Sequence, residues 1–314
     1  MPCIQIPGAI QKANVAMEQV VPSEVGPKIE KKSSLWRSQP ITLKDVFFGI
    51  PIPEVRHLTG LKISSTDQSS LDLELYLPPT PGEYPGIVSI YGGAWQRGAP
   101  SANAQFNQYL AAQGYVVWAI AYRHAPAYKF PTQLEDVQSA LEFIQTHGSD
   151  YETQPDQLAL IGRSAGAHLA MLAAYQTSTP AIRGVINFYG PVNLTEGYNN
   201  PPNPDPIQSR QVLEAFFGGP PTQFPQAYRD ASPITYTDQA QPPTLLIYAG
   251  RDHIVQPQYG QQLFEKLQAT GTKAALLHIP WADHAFDLIF NGLSSQFSIY
   301  YAERFLAGVF QSAS

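Results

Sequence analysis

The sequence predicts an α/β protein with one mostly parallel sheet that is covered by helices on both faces. From residue 86 onward, short apolar runs typical of strands alternate with longer segments of helical periodicity, as such a sheet requires. The apolar runs contain few polar residues, as expected for strands buried on both faces. Before residue 78, two runs of alternating apolar and polar residues predict an antiparallel hairpin at the sheet edge.

The elements can be assigned in order along the chain. The hairpin has apolar residues at alternate positions, on either side of a polar turn at 66–70: Leu61, Ile63, Leu71, Leu73, Leu75 and Leu77. Further strands are predicted at 86–91, 115–122, 158–161, 184–189, 244–249 and 274–279. Helices are predicted at 103–113, 131–147, 165–175, 257–269 and 297–310. Gly114, Gly148 and Gly271 follow three of these helices, where glycine favours a left-handed end.

Composition excludes several classes of protein. The chain has 314 residues and a formal net charge of −6, which argues against a nucleic-acid partner. Its one cysteine, Cys3, cannot form an internal disulfide framework. We see neither a signal peptide nor an apolar run of about 18 residues, so we expect a cytoplasmic protein without a membrane span. The sequence is compatible with a homodimer.

A turn between a predicted strand and a predicted helix carries the first chemical signal. It reads Gly162-Arg-Ser164-Ala-Gly166, a G-x-S-x-G pattern in the strand–turn–helix context of a nucleophile elbow. The two glycines allow strand and helix to approach closely around a strained turn. We therefore predict Ser164 as a catalytic nucleophile, with the following helix pointing its N–H groups toward the site.

A serine nucleophile needs a base, and the base needs an acid to orient it. With this elbow the expected chain order is serine, acid, histidine, on loops that follow late strands. Asp252 follows the strand 244–249, and His284 follows the strand 274–279. Asp283 and Asp287 are alternative acids, but Asp283 adjoins His284 and would not easily reach the ring of its neighbour. No cluster has metal-ligand spacing, so we expect neither a metal nor another cofactor.

Backbone N–H groups are predicted to stabilise the oxyanion. One is the N–H of Ala165, directly after the serine. The second should lie in Gly92-Gly93-Ala94, which follows the strand 86–91. We favour Gly93 or Ala94 as the donor, with Gly92 shaping the turn.

These motifs together resemble the α/β-hydrolase esterases of the hormone-sensitive-lipase-like and acetylesterase–feruloyl-esterase-like (BD-FAE-like) groups. The matching stretches cover roughly 58–312: Tyr91 to Trp95, Tyr122 to Pro126, Phe130-Pro131, Glu135-Asp136, Gly162 to Gly166, and the loops of Asp252 and His284. The family's His-Gly-Gly-Gly is Tyr91-Gly-Gly-Ala94 here, so a tyrosine would support the loop. By this resemblance, Arg123 and Asp136 support the fold.

Two regions beside this core are predicted to shape the site. Residues 1–57 are interpreted as an N-terminal arm, with a short helix at 9–20, that could contribute to a cap; the alternative for residues 1–30 is a partly disordered tail. The hydrolase domain then covers 58–314. Within it, 192–240 is too long for a simple crossover and is predicted to form a cap or lid over the site.

The predicted activity is hydrolysis of a small-molecule carboxylic ester. We predict that aromatic residues line the substrate pocket: Trp95, Tyr189, Phe216, Phe217, Trp281 and Phe286. The same three catalytic side chains would also serve an amide hydrolase of the arylformamidase or peptidase type. A non-catalytic binding protein on a hydrolase scaffold is a remote alternative, and an interfacial lipase is a variant of the esterase hypothesis.

Overall fold

The computed structural model describes residues 2–21, 36–65, 69–176 and 182–311. It contains one eight-stranded sheet with the order β1-β2-β4-β3-β5-β6-β7-β8. The strands are β1 Arg56–Ser64, β2 Ser70–Leu77, β3 Tyr84–Ile90, β4 Val116–Ile120, β5 Thr153–Arg163, β6 Ile182–Phe188, β7 Thr244–Ala249 and β8 Ala274–Ile279. β2 is antiparallel to both β1 and β4, and every later pairing is parallel.

Helices connect most of the parallel strands. Within the described ranges they are α1 Pro2–Met17, α2 Leu43–Phe48, α3 Ala104–Ala112, α4 Thr132–His147, α5 Ala165–Gln176, α6 Leu194–Asn199, α7 Ser209–Phe217, α8 Pro225–Asp230, α9 Pro257–Ala269 and α10 Leu293–Gln311. The central strands are mostly buried, and all six residues of β7 are buried. The predicted α/β class and the predicted sheet with helices are therefore confirmed.

Most predicted elements are present with bounds that differ by a few residues. The predicted bounds of β7, α9 and β8 match the structure. The N-terminal helix begins at Pro2 rather than at residue 9, and it includes Pro7, which lies before the predicted start of the helix. The last helix begins at Leu293 rather than at 297. Of the predicted hairpin turn, residues 66–68 lie outside the described residues.

One predicted helix end is wrong in detail. Gly148 follows α4 as predicted, but its φ of −57° is right-handed. The chain continues into a short 3₁₀ turn, Gly148–Tyr151, and the left-handed residue is Glu152, with φ +62°. Thr153 then begins β5, so the reversal occurs four residues later than the glycine indicated.

The described parts of the N-terminal arm pack against the end of the chain. Asn14 and the backbone of Ile10 accept the hydroxyl hydrogen bonds of Tyr301 in α10. Arg37 donates to Gln296 at 2.8 Å, and Asn291 donates to the Val46 carbonyl at 3.0 Å. These contacts place the described arm beside α10 and the loop before it.

The topology brings distant segments of the chain to one edge of the sheet. β3, β5, β7 and β8 run parallel, so the loops after them meet at their carboxyl ends. This is where ligands bind in open α/β sheets. Among the helices that the structure describes, none has the length and apolar character needed to span a bilayer.

Candidate active site

Ser164 lies in a tight turn between β5 and α5. Its φ of +51° is in the left-handed region, which costs a non-glycine residue conformational energy. Both flanking glycines are required by close packing. A Cβ on Gly162 would lie 2.3 Å from the Gly166 carbonyl oxygen, and one on Gly166 would lie 2.2 Å from that of Ile90. The sequence pattern therefore marks a turn whose shape tolerates no side chain at either position.

His284 lies between Ser164 and Asp252. Its Nε2 is 3.0 Å from the Ser164 hydroxyl oxygen, and its Nδ1 is 2.8 Å from Asp252 Oδ2. A carboxylate only accepts hydrogen bonds, so Asp252 favours the tautomer with its proton on Nδ1. Nε2 is then free to accept the serine proton. The imidazole is 10% exposed and the Asp252 side chain is fully buried, so water competes little with this chain of contacts.

Asp252 is itself held in place by its own loop. Its Oδ1 accepts the backbone N–H groups of Ile254 and Val255, each at 2.8 Å. These bonds compensate the carboxylate for its lost hydration. They also fix the direction in which it faces the imidazole.

The two alternative acids make other contacts. Asp283 accepts His253 Nδ1 at 2.8 Å and the backbone N–H of His284 at 2.7 Å, but it makes no hydrogen bond to the ring of His284. Asp287 accepts hydrogen bonds from Arg163 and from the Tyr189 hydroxyl. Of the three aspartates weighed from the sequence, Asp252 therefore lies against the imidazole.

The loop after β3 lies directly against the elbow. A Cβ on Gly92 would lie 2.7 Å from the Arg163 carbonyl oxygen and 3.1 Å from the Ser164 Cβ. Gly92 thus permits close approach, while the left-handed turn itself is made by Gly93, Ala94 and Trp95, at φ +133°, +56° and +59°. Opposite this loop, Ala165 begins α5, where a backbone N–H has no partner within the helix.

Two histidines hold this loop from outside. Trp95 Nε1 donates to His168 Nδ1 at 3.2 Å, and His168 Nε2 donates to the Ala231 carbonyl at 2.6 Å. Complete burial lowers the pKa of His168 to about 4, so it is neutral near pH 7.

The start of the same loop is held by Tyr91. The Tyr91 hydroxyl contacts His124 Nε2 at 2.9 Å, and the Tyr91 ring stacks on Tyr122. Tyr91 thus anchors the start of the loop.

A cavity that is partly open to solvent adjoins Ser164. Apolar side chains dominate its wall, and the described lining residues include no charged side chain and no histidine: Ala94, Trp95, Ser164, Ala165, Pro191, Asn193, Leu194, Gly197, Asn200, Pro202, Ile207, Ser209, Val212, Leu213, Ile254, Val255, Gln256 and Tyr259. The predicted cap segment 192–240 contributes its α6 and α7 side. None of the described residues before 58 lines the cavity.

Only one of the six predicted pocket aromatics, Trp95, lines this cavity. Phe216 stacks on Trp95, and Phe217 stacks on Tyr228. Tyr189 and Phe286 pack together beside His284. Trp281 donates to Ser294 at 3.0 Å. The other five therefore pack behind the site, because large aromatic side chains near a cleft also serve as core.

Sequence reasoning missed the contribution of Arg163. It is 6% exposed, and its guanidinium carbon Cζ lies 4.4 Å from the ring centroid of Phe106 and 4.8 Å from that of Phe188. The available signal was an arginine at the variable position of G-x-S-x-G. A buried arginine needs a carboxylate partner, but its identity depends on the tertiary fold.

In the part of the chain that the structure describes, no group of three or more His, Cys, Asp or Glu side chains could hold a metal ion. The side chains gathered at Ser164 instead provide a hydroxyl, an imidazole and a carboxylate in series. This is the arrangement that activates a serine. The class defined by fold and site is an α/β-hydrolase-fold protein with a Ser–His–Asp arrangement at a nucleophile elbow.

The chain belongs to the BD-FAE family, whose model matches residues 73–267. It is 31% identical over 243 residues to the probable carboxylic ester hydrolase LipM of Mycobacterium tuberculosis (strain ATCC 25618 / H37Rv), covering 73% of this chain and 55% of LipM. It is 27% identical over 229 residues to the probable isoprenylcysteine alpha-carbonyl methylesterase ICMEL1 of Arabidopsis thaliana, covering 67% and 48%. The chain thus spans about half the length of these curated relatives.

Solved structures show the same fold. A structure from a study of two fungal esterases of Rhizomucor miehei has a TM-score of 0.75 at 19% sequence identity. The match covers 94% of this chain and 98% of the fungal chain. The α/β-hydrolase fold therefore extends over nearly all of the described molecule.

Proposed function

We propose that this protein is a serine carboxylesterase that hydrolyses small carboxylic esters through an acyl-enzyme. The observation that carries the proposal is the hydrogen-bonded series from Asp252 through His284 to Ser164, beside an uncharged cavity. Membership of the BD-FAE family supports it. So does the similarity to a relative named as a probable carboxylic ester hydrolase.

In the proposed first half-reaction, His284 takes the hydroxyl proton as Ser164 attacks the ester carbonyl carbon. The N–H groups of Ala165 and of Gly93 or Ala94 stabilise the oxyanion. The C–O bond to the alcohol then breaks, and the alcohol leaves with the proton from His284. Asp252 stabilises the imidazolium throughout, at a contact distance of 2.8 Å.

In the second half-reaction, water replaces the alcohol. His284 takes a proton from water as its oxygen attacks the acyl carbon, and the same N–H groups stabilise the second oxyanion. The bond to Ser164 breaks, its oxygen regains the proton, and the carboxylic acid leaves. No redox partner or metal is needed for this balance.

The cavity indicates an uncharged, apolar group on one side of the ester. Burying an unpaired charge against such a wall would be strongly unfavourable. Ile207, Val212 and Leu213 supply branched aliphatic surface there. One relative's name refers to isoprenylcysteine, and an isoprenyl group has this apolar character.

The test compares Ser164→Ala with the wild-type enzyme on p-nitrophenyl esters of increasing acyl length. We expect kcat to fall by about 10⁴-fold or more, and a fluorophosphonate probe to label only the wild type. Ser139→Ala is a matched control, because this buried serine lies in α4 and its hydroxyl donates to the Glu135 carbonyl. Full esterase activity in Ser164→Ala would overturn the proposal. N-formylkynurenine and a peptide amide, assayed in parallel, distinguish an amide hydrolase.

A further inference from the structure

A buried ion pair joins a residue next to Ser164 to a residue close to His284 in the chain. Arg163 directly precedes Ser164, and Asp287 follows His284 by three residues. The Nε of Arg163 donates to Asp287 Oδ2, with side-chain exposures of only 8% and 9%. Asp287 is the carboxylate that pairs with this guanidinium, and the NH1 group of Arg163 makes no hydrogen bond to the described residues. The pair joins the elbow to the histidine loop.

Tyr189 joins this pair to the imidazole. Its hydroxyl donates to Asp287 Oδ1, and its ring centre lies 4.6 Å from that of His284. Burial raises the pKa of the Tyr189 hydroxyl well above its ordinary value, and the nearby Asp287 raises it further, so it stays protonated as a donor. The ring therefore has a fixed position against one face of the imidazole.

Beyond Asp287, the histidine loop is anchored mainly through backbone carbonyls, as where Ser295 Oγ donates to the Ile289 carbonyl at 2.6 Å. Leu288 and Ile289, the next two residues, are 78% and 69% exposed. Ala285 adopts a left-handed φ of +56°, so the chain turns sharply after His284. Asp252 and Ser164 contact the two ring nitrogens, but these two contacts leave rotation of the ring about the line between them unfixed. Through Tyr189, Asp287 supplies a contact on the face of the ring.

We propose that Arg163, Asp287 and Tyr189 are positioning residues that hold the imidazole of His284 at its distance from Ser164. This inference rests on the proposed esterase function. None of the three residues lines the substrate cavity, so they act on the proton transfer and not on substrate binding. A displacement near 1 Å at such a site can lower a rate by about 10²-fold.

The experiment uses Arg163→Met, Asp287→Asn, their double variant, and Tyr189→Phe, each in the full chain. We expect kcat to fall by about 10- to 100-fold in Arg163→Met and in Asp287→Asn. KM should change by less than about threefold. The rate of fluorophosphonate labelling should fall in parallel. The double variant should be no slower than the worse single variant, because the two residues act as a unit. Tyr189→Phe keeps the ring and should lose less than either, and Arg163→Lys should recover part of kcat.

The matched control is Arg37→Met. Arg37 also forms a buried pair with an aspartate, Asp45, at 2.8 Å, with side-chain exposures of 5% and 16%, but it contacts none of the catalytic side chains. It should lower the melting temperature and leave kcat unchanged. If Arg163→Met and Asp287→Asn lower only the melting temperature, as Arg37→Met does, the positioning inference is wrong while the esterase proposal stands. If Ser164→Ala is as active as the wild type, the esterase proposal itself fails.

Discussion

The carboxylate of Asp283 accepts a hydrogen bond from His253 at 2.8 Å, although Asp283 is covalently adjacent to His284. The other Asp–His pair shows the same exchange of partners: Asp252 is covalently adjacent to His253 but contacts His284. The two Asp–His pairs differ in burial. The side chains of His253 and Asp283 are 52% and 57% exposed, whereas those of His284 and Asp252 are 10% and 0% exposed.

This difference predicts unequal effects of the two Asp→Asn substitutions. Asp252→Asn should lower kcat by about 10³- to 10⁴-fold, because the wrong tautomer of His284 is then favoured. Asp283→Asn should lower it by less than about fivefold, because a solvent-exposed pair contributes little. Steady-state kinetics on one p-nitrophenyl ester measures both. Equal losses in the two variants would contradict the assignment of Asp252 as the orienting acid.

The loop after β3 offers a second matched pair. A Cβ on Gly93 would lie 2.0 Å from the Arg97 carbonyl oxygen, so Gly93→Ala must displace the loop. We expect kcat to fall by about 10²- to 10³-fold, the usual loss for one oxyanion donor. Ala94 already adopts φ +56°, so Ala94→Gly should change kcat less than about threefold. A Gly93→Ala enzyme with normal kcat would remove this loop from the proposed oxyanion site.

Much of this arrangement was predictable because it is encoded locally. The buried strands appear as apolar runs, and the elbow appears as glycines two residues on either side of Ser164. Asp252 and His284 could be selected because each follows a strand whose carboxyl end reaches the same edge. Chain order and strand order together thus restrict the candidates for the nucleophile, the base and the orienting acid to a few residues.

The parts that were not predictable depend on tertiary contacts. Whether an aromatic residue such as Phe216 faces the cavity or the core depends on the packing of α7, which its own sequence does not specify. The partner of Arg163 lies on a distant loop, and hydrophobic periodicity carries no information about such a pair. The end of α4 differs because Gly148 can also adopt a right-handed conformation.

The cavity wall predicts a change in substrate preference. Ile207 lies on the α7 side of the cavity and is partly buried, so Ile207→Trp should fill part of its volume. Activity on octanoyl and longer p-nitrophenyl esters should fall at least tenfold relative to acetate, while kcat for acetate should change little. The exposed Leu43→Trp, on α2, is the control for added aromatic bulk. An unchanged chain-length profile would mean that the acyl group does not bind in this cavity.

Glu303 predicts a pH-dependent stability that is separate from catalysis. It is 2% exposed in α10, where it accepts the hydroxyl hydrogen bond of Tyr109. Burial raises its pKa from 4.5 to about 7, against the opposing effects of Tyr109, Arg304 and Arg37. The folded protein therefore binds more protons than the unfolded chain between these two values, and its stability must fall as pH rises through that interval.

Glu303→Gln isolates this contribution, because glutamine keeps an acceptor for Tyr109 and never ionises. Relative to this variant, the wild type should lose stability between pH 5 and pH 7.5, by on the order of 3 kcal/mol at most, with little further loss above that range. Urea unfolding at several pH values measures the difference. Glu265→Gln removes an exposed carboxylate and serves as the control for net charge. A wild-type advantage that stays constant or grows with pH would show that Glu303 is ionised in the folded protein throughout.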